Sequence, residues 1–114
     1  MIFVTGPLYA GKREYICRTM HWSREELALR AVWDVQELVR EAEPEAVART
    51  LKDKAVVIAT EVGGGVVPAD PAERARREAA GRLACLLAAE ADTVIRVCCG
   101  LPQLLKGDWP CASC

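Results

Sequence analysis

A glycine-rich segment near the start of the chain has the residue types and spacing of a phosphate site. Residues 6–12 read Gly-Pro-Leu-Tyr-Ala-Gly-Lys and match the first seven positions of the P-loop pattern G-x-x-x-x-G-K. In that pattern, backbone N–H groups and a helix N-terminus surround the phosphates, while the lysine brings a mobile charge to the outer ones. An apolar run precedes the segment and a helical pattern follows it. We therefore expect a nucleotide-binding loop made of Gly6, Pro7, Leu8, Tyr9, Ala10, Gly11, Lys12 and Arg13.

Arg13 departs from the pattern, because Ser or Thr normally stands there and gives its hydroxyl to magnesium. An arginine cannot ligate a cation, although it can pair with a phosphate oxygen. The alternative is a tight turn that no longer binds anything. The preceding strand, the spacing and Lys12 are intact, and they favour retained phosphate binding.

Two carboxylates follow apolar stretches that are typical of strands. Asp34 ends residues 31–33, where P-loop proteins carry an acid on the metal side, but it could equally cap a helix beginning at Val35; the local sequence favours neither. Glu61 follows residues 55–59, the clearest buried strand, and so belongs at the edge where open α/β sheets bind ligands.

Arg74 and Arg77 lie near one face of the longest predicted helix, which Asp70 and Pro71 begin. They could bind a phosphate. A solvated helix face is the alternative, and the residues taken alone favour it.

The predicted elements alternate between strand and helix along the whole chain. Ser23 and Glu26 form a capping box, a helix is expected over 35–42, Pro44 opens another, and residues 93–98 form the last strand. Such alternation predicts an α/β fold: a P-loop NTPase-like three-layer domain with a small, mainly parallel sheet of about four strands. We expect one domain over 1–106 and a C-terminal tail over 107–114.

Composition excludes several classes of function. The 114 residues carry a formal net charge of -1, so no overall basic field draws the chain to nucleic acid or to anionic membranes. No apolar run approaches the roughly 20 residues that cross a bilayer, and the first residues lack signal-peptide features, so we expect a cytoplasmic protein.

The six cysteines are expected to be reduced, since four of them lie in helical or strand patterns as small hydrophobic residues. Cys111 and Cys114 could form half a zinc site or a redox pair. A disordered tail is the favoured interpretation, because no second pair of suitable spacing accompanies them.

Residues 56–68 read V-V-I-A-T-E-V-G-G-G-V-V-P. This segment resembles the V-V-x-x-N-E-V-G-x-G-I-V-P stretch of the adenosylcobinamide kinase/adenosylcobinamide-phosphate guanylyltransferase family. The similarity continues through residues 75–82 and 88–94 and the Gly-Leu-Pro of 100–102, and ends near Lys106.

The resemblance implies a transferase of cobalamin biosynthesis that uses Mg²⁺ with ATP or GTP. Its two activities are phosphorylation of adenosylcobinamide and transfer of GMP to the resulting phosphate. In this scheme Lys12, Asp34 and Glu61 are catalytic, Asp34 and Glu61 manage magnesium or orient the acceptor, and Arg74 and Arg77 bind anionic or corrinoid groups. The family also tends to be oligomeric, so a homo-oligomer is expected.

The chain departs from the family in the segment that normally supplies the histidine taking GMP covalently. That segment is shortened here, and His21 is the only histidine. For His21, a structural position at a helix junction is favoured over a role as the nucleophile. Thr60 also replaces the family's Asn, and Ala84-Cys85 replaces a polar pair. We therefore expect the kinase half to survive better than the guanylyl half; the rival hypothesis is a weakened nucleotide- or corrinoid-binding protein of regulatory or assembly role.

Overall fold

The computed structural model describes residues 1–62 and 70–110. Two sequence features fall outside these ranges: the run of three glycines and the Val-Val-Pro after it, residues 63–68, and the pair Cys111 and Cys114. The described residues form five strands, four α-helices and one 3₁₀ helix: β1 Ile2–Gly6, α1 Lys12–Met20, α2 Arg24–Arg30, β2 Ala31–Val32, the 3₁₀ helix Val35–Arg40, α3 Pro44–Leu51, β3 Val56–Thr60, α4 Pro71–Glu90, β4 Thr93–Cys98 and β5 Leu101–Lys106.

The strands form one sheet in the order β2-β3-β1-β4-β5. The first four strands are parallel, and β5 pairs antiparallel with β4. The mainly parallel α/β sheet is as predicted. The count of about four strands was one short, because the sequence pattern did not predict β5.

Helices cover both faces of the sheet, which gives three layers. Side chains alternate along the central strands, so that Phe3 packs with α3, α4 and the 3₁₀ helix, whereas Val4 packs with α1 and α2. Both of these side chains are essentially inaccessible to water. The apolar strands are thus buried on both faces, as parallel strands require.

β5 escaped prediction because its sequence, Leu-Pro-Gln-Leu-Leu-Lys, lacks alternation and contains a proline. Proline cannot donate to a strand ladder and is tolerated at a sheet edge, which is where β5 lies. The turn before it consists of Cys99 and Gly100, with φ of 54° and 74°. Positive φ at both central residues is the mark of a two-residue type I′ hairpin.

Local signals elsewhere set the helix boundaries. Ser23 and Glu26 form the predicted capping box, and Asp70 caps α4 by accepting from the N–H of Ala72 at 3.0 Å. The helix expected over 35–42 is instead a 3₁₀ helix of six residues. Cys85 and Cys99 are exposed, contrary to their expected place among small apolar residues.

In α4, Leu83 and Leu87 are buried, whereas Ala75 faces solvent. Across the described parts of the chain, none of the helices has the length and apolarity needed to cross a bilayer.

Candidate active site at the glycine loop

The loop between β1 and α1 has the backbone geometry that its glycines allow. Gly6 has φ of 152°, and a Cβ built there would lie 2.1 Å from the carbonyl oxygen of Val97 in β4. Gly11 has φ of 88° and occupies the N-cap position of α1. Only glycine adopts these angles without strain. The loop therefore delivers the N-terminus of α1, with its partial positive charge, to the carboxyl edge of the sheet.

Lys12 is the first residue of α1 and is 8% exposed. Its Nζ donates to the carbonyl oxygens of Pro7 at 2.7 Å and Gly6 at 3.3 Å. Burial lowers the pKa of Lys12, and the nearby carboxylates of Asp34 and Glu61 partly oppose this. The ammonium is thus held on the loop by backbone carbonyls, and a phosphate that reaches the loop would give it an anionic partner.

A cavity of about 450 Å³ opens above the loop. Its walls combine the loop and the start of α1 with residues from the ends of β2 and β3, including Trp33, Asp34 and Thr60. The volume lies in the range of small-molecule and cofactor sites. The parallel strands end here, which is where α/β sheets bind ligands.

Asp34 begins the 3₁₀ helix, yet its carboxylate makes no capping hydrogen bond. Its backbone has φ of 57°, a conformation that Asp tolerates better than most residues. Only its carbonyl takes part in the helix start, accepting from the N–H of Glu37 at 3.1 Å. The exposed carboxylate lines the cavity of Lys12 instead.

Glu61 is engaged by a residue that sequence reasoning missed. Arg96 of β4 donates to both carboxylate oxygens, from Nε at 2.7 Å and from Nη2 at 2.9 Å. This hydrogen-bonded pairing holds the pKa of Glu61 below its ordinary value. The backbone N–H of Glu61 also donates to Gly6, so the residue is tied to the loop. The available signal was an arginine inside the otherwise apolar strand Thr-Val-Ile-Arg-Val-Cys.

Of the residues expected to serve a magnesium ion, Asp34 is available to it, whereas Arg13 and Glu61 are not. Arg13 extends over the ring of Trp33, 5.4 Å from its centroid, and offers no oxygen. Glu61 has both oxygens committed to Arg96. The lining of the cavity itself offers side-chain oxygens from Tyr9, Glu14, Asp34 and Thr60. Among the described residues no three acidic, His or Cys side chains cluster as a metal site. Magnesium commonly takes only one or two carboxylates beside phosphates and waters, so Asp34 suffices and Glu61 does not fit while its ion pair lasts.

The sequence profile of the family described as cobinamide kinase / cobinamide phosphate guanyltransferase matches residues 15–105. The chain belongs to this family. The matched range holds Asp34, Glu61 and Arg96 and extends into β5, and it begins after the glycine loop. The family consists of transferases of cobalamin biosynthesis. Among curated proteins, none matches the chain.

In this member of the cobinamide kinase family, Arg74 and Arg77 are not brought to the loop cavity. Arg77 lines a small hollow of about 80 Å³ with Gln36 and Val62, on the face that α4 covers. Arg74 is exposed one turn earlier.

His21 ends α1, with φ of 56°, and its backbone N–H donates to the carbonyl of Cys17. The helix runs unbroken from Lys12, so at 1.5 Å per residue His21 stands roughly 13 Å along the axis from the lysine. The exposed ring is at the end of the helix remote from the phosphate loop.

Proposed function

We propose that this member of the family is a cobinamide kinase, which moves the γ-phosphoryl group of ATP or GTP to a hydroxyl of the corrinoid. One observation carries the proposal. A buried lysine sits in a glycine loop at a helix N-terminus, in the same cavity as a carboxylate that caps nothing. This is the combination of positive donors and an acid that phosphoryl transfer uses.

The proposed reaction breaks the bond between the γ-phosphorus and the β–γ bridging oxygen and forms one between that phosphorus and the acceptor oxygen. The nucleoside diphosphate leaves, and the proton of the acceptor hydroxyl passes to solvent. Lys12 and the N–H groups at the start of α1 hold the negative charge of the phosphates. Magnesium, when bound, neutralises further phosphate charge, and Asp34 would hold it.

Guanylyl transfer by a covalent histidine is not part of this proposal. A nucleophile must come within bonding distance of the α-phosphate, whereas His21 lies at the far end of α1. We expect no covalent GMP on the protein.

Incubation with adenosylcobinamide, Mg²⁺ and either ATP or GTP tests both halves. Mass spectrometry of the corrinoid should show the gain of one phosphate, and Lys12→Ala should abolish that gain. The intact protein mass should stay unchanged. A GMP adduct that disappears in His21→Ala would contradict the expected absence of covalent GMP. An unmodified corrinoid with both nucleotides would contradict the proposed kinase activity.

The same geometry gives one observation to the rival hypothesis, a weakened nucleotide- or corrinoid-binding protein. Arg13 replaces the hydroxyl ligand and stacks on Trp33, so magnesium has fewer protein oxygens here than in an ordinary P-loop. Calorimetry with ATP or GTP separates the two hypotheses: nucleotide binding without corrinoid phosphorylation favours the binding protein.

A further inference from the structure

A second and larger cavity, of about 640 Å³, lies between α1 and α2. We call it the α1–α2 groove. Its lining includes Cys17 and Arg18 of α1, Arg24 of α2, and two tryptophans that flank α2, Trp22 and Trp33.

The groove combines conjugated rings with positive charge. Both indoles are partly buried against the core, and each has a guanidinium over its ring: Arg30 over Trp22 at 5.6 Å and Arg13 over Trp33 at 5.4 Å. The lining itself contributes three guanidinium groups, from Arg13, Arg18 and Arg24, against the one carboxylate of Glu14. Guanidinium groups only donate hydrogen bonds, so the groove suits a ligand rich in acceptor oxygens.

The groove adjoins the loop cavity. Arg13, Glu14 and Trp33 line both spaces. Trp33 follows β2, the strand at the edge of the sheet, and Lys12 follows the central strand β1. A ligand in the groove would therefore reach the phosphates on the loop from the β2 side, past Arg13.

We propose that the α1–α2 groove binds the corrinoid acceptor, with Trp22 and Trp33 against the conjugated macrocycle and the arginines on its amide carbonyls. This inference rests on the proposed function and adds the place of the acceptor. Indoles provide large flat surfaces for a conjugated ring, and amide oxygens accept from guanidinium donors. Arg13, at the boundary of the two cavities, then pairs with the phosphate as it forms on the acceptor.

The nucleobase of the triphosphate is the competing occupant. A purine also stacks on indole, but it offers few acceptor oxygens to three arginines, and it is small for a cavity of this volume. The corrinoid, with its wide ring and many carboxamides, matches both properties, so we assign the groove to it.

Equilibrium dialysis with cobinamide tests the assignment without requiring turnover. Arg18→Ala should weaken cobinamide binding by about tenfold or more, since a hydrogen bond to a charged group is worth roughly 1.5–3 kcal/mol. Trp22→Leu should weaken it as well, because it removes a flat aromatic surface. Trp109→Leu is the matched control: Trp109 is 53% exposed, next to Asp108, whose carbonyl accepts from Thr93 at the start of β4. The affinity for ATP should stay unchanged in all three variants.

Thiol footprinting locates the ligand without any substitution. Cys17 lines the groove, whereas Cys85 is exposed on α4 at the opposite face of the sheet. Saturating cobinamide should slow alkylation of Cys17 and leave Cys85 unchanged. If ATP rather than cobinamide protects Cys17, and Trp22→Leu weakens ATP binding instead, the groove is a nucleobase site and the assignment is wrong. Cobinamide binding without protection of Cys17 would also contradict the assignment of the groove. Protection of Cys17 without any phosphorylation would support the assignment and contradict only the proposed kinase activity.

Discussion

At the scale of single residues, Lys12 has the strongest case for contact with a nucleotide. Among the described residues, its ammonium donates to the carbonyls of Gly6 and Pro7. Lys12→Ala should weaken ATP or GTP binding by about 10- to 100-fold, the loss of one charge-assisted hydrogen bond worth roughly 1.5–3 kcal/mol. Calorimetry measures this, with the exposed Lys54→Ala as a control of equal charge change. Equal affinities for the two variants would contradict the prediction.

Gly6 and Gly81 make a matched pair for testing backbone constraint. A Cβ at Gly6 would collide with the carbonyl oxygen of Val97, whereas one at Gly81 meets nothing within 4 Å. Gly6→Ala should lower the free energy of unfolding by more than about 2 kcal/mol. Gly81→Ala should raise it by about 0.5–1 kcal/mol, since Gly81 lies inside α4. Urea denaturation checks both signs, and a tolerated Gly6→Ala would mean that β1 and β4 can separate at this point.

At the scale of elements, the β4–β5 hairpin turn holds a residue poorly suited to its backbone. Cys99 has φ of 54° in a type I′ turn, where Asn is favoured. Cys99→Asn should raise the free energy of unfolding by a few tenths to about 1 kcal/mol, and the β-branched Cys99→Val should lower it. Chemical denaturation of both variants decides the matter. The opposite order would show that the thiol makes a stabilising contact.

Elements with a local signal could be predicted from the sequence, and those that depend on distant pairing could not. The capping box at Ser23 and the prolines at positions 44 and 71 set helix starts that the structure reproduces. β5 depends on pairing with β4, and its own residues do not favour a strand. The 3₁₀ helix was expected as a longer helix because its apolar spacing suits either form.

The candidate site also combines features that the sequence predicts with features that depend on contacts between distant residues. The conformation of the glycine loop was predictable, because its residues are consecutive in the sequence. The partner of Glu61 was not, because Arg96 lies 35 residues away and meets it only through the strand order. The groove between α1 and α2 likewise forms only after the helices pack.

At the scale of the whole molecule, the pair Glu61–Arg96 joins β3 and β4 across the intervening β1. Arg96 lowers the pKa of Glu61 from its ordinary 4.5, so the folded state takes up this proton at lower pH than the unfolded chain. Its contribution to stability is therefore present above about pH 4.5 and is lost as the pH falls through the folded-state pKa. Arg96→Met should flatten the fall in the free energy of unfolding below pH 4.5. Urea titrations from pH 6 to pH 3 test this, and parallel curves for the two proteins would contradict it.

The glycine loop is also hydrogen-bonded to the turn between β4 and β5. The N–H of Gly100, in the β4–β5 turn, donates to the carbonyl of Ala10 at 2.8 Å. That proton can exchange with deuterated solvent only when the loop and the hairpin part. The exchange rate of the Gly100 amide therefore reports how often the glycine loop and the hairpin separate. A ligand that holds the loop against the hairpin should slow this exchange, whether or not any phosphoryl group is transferred.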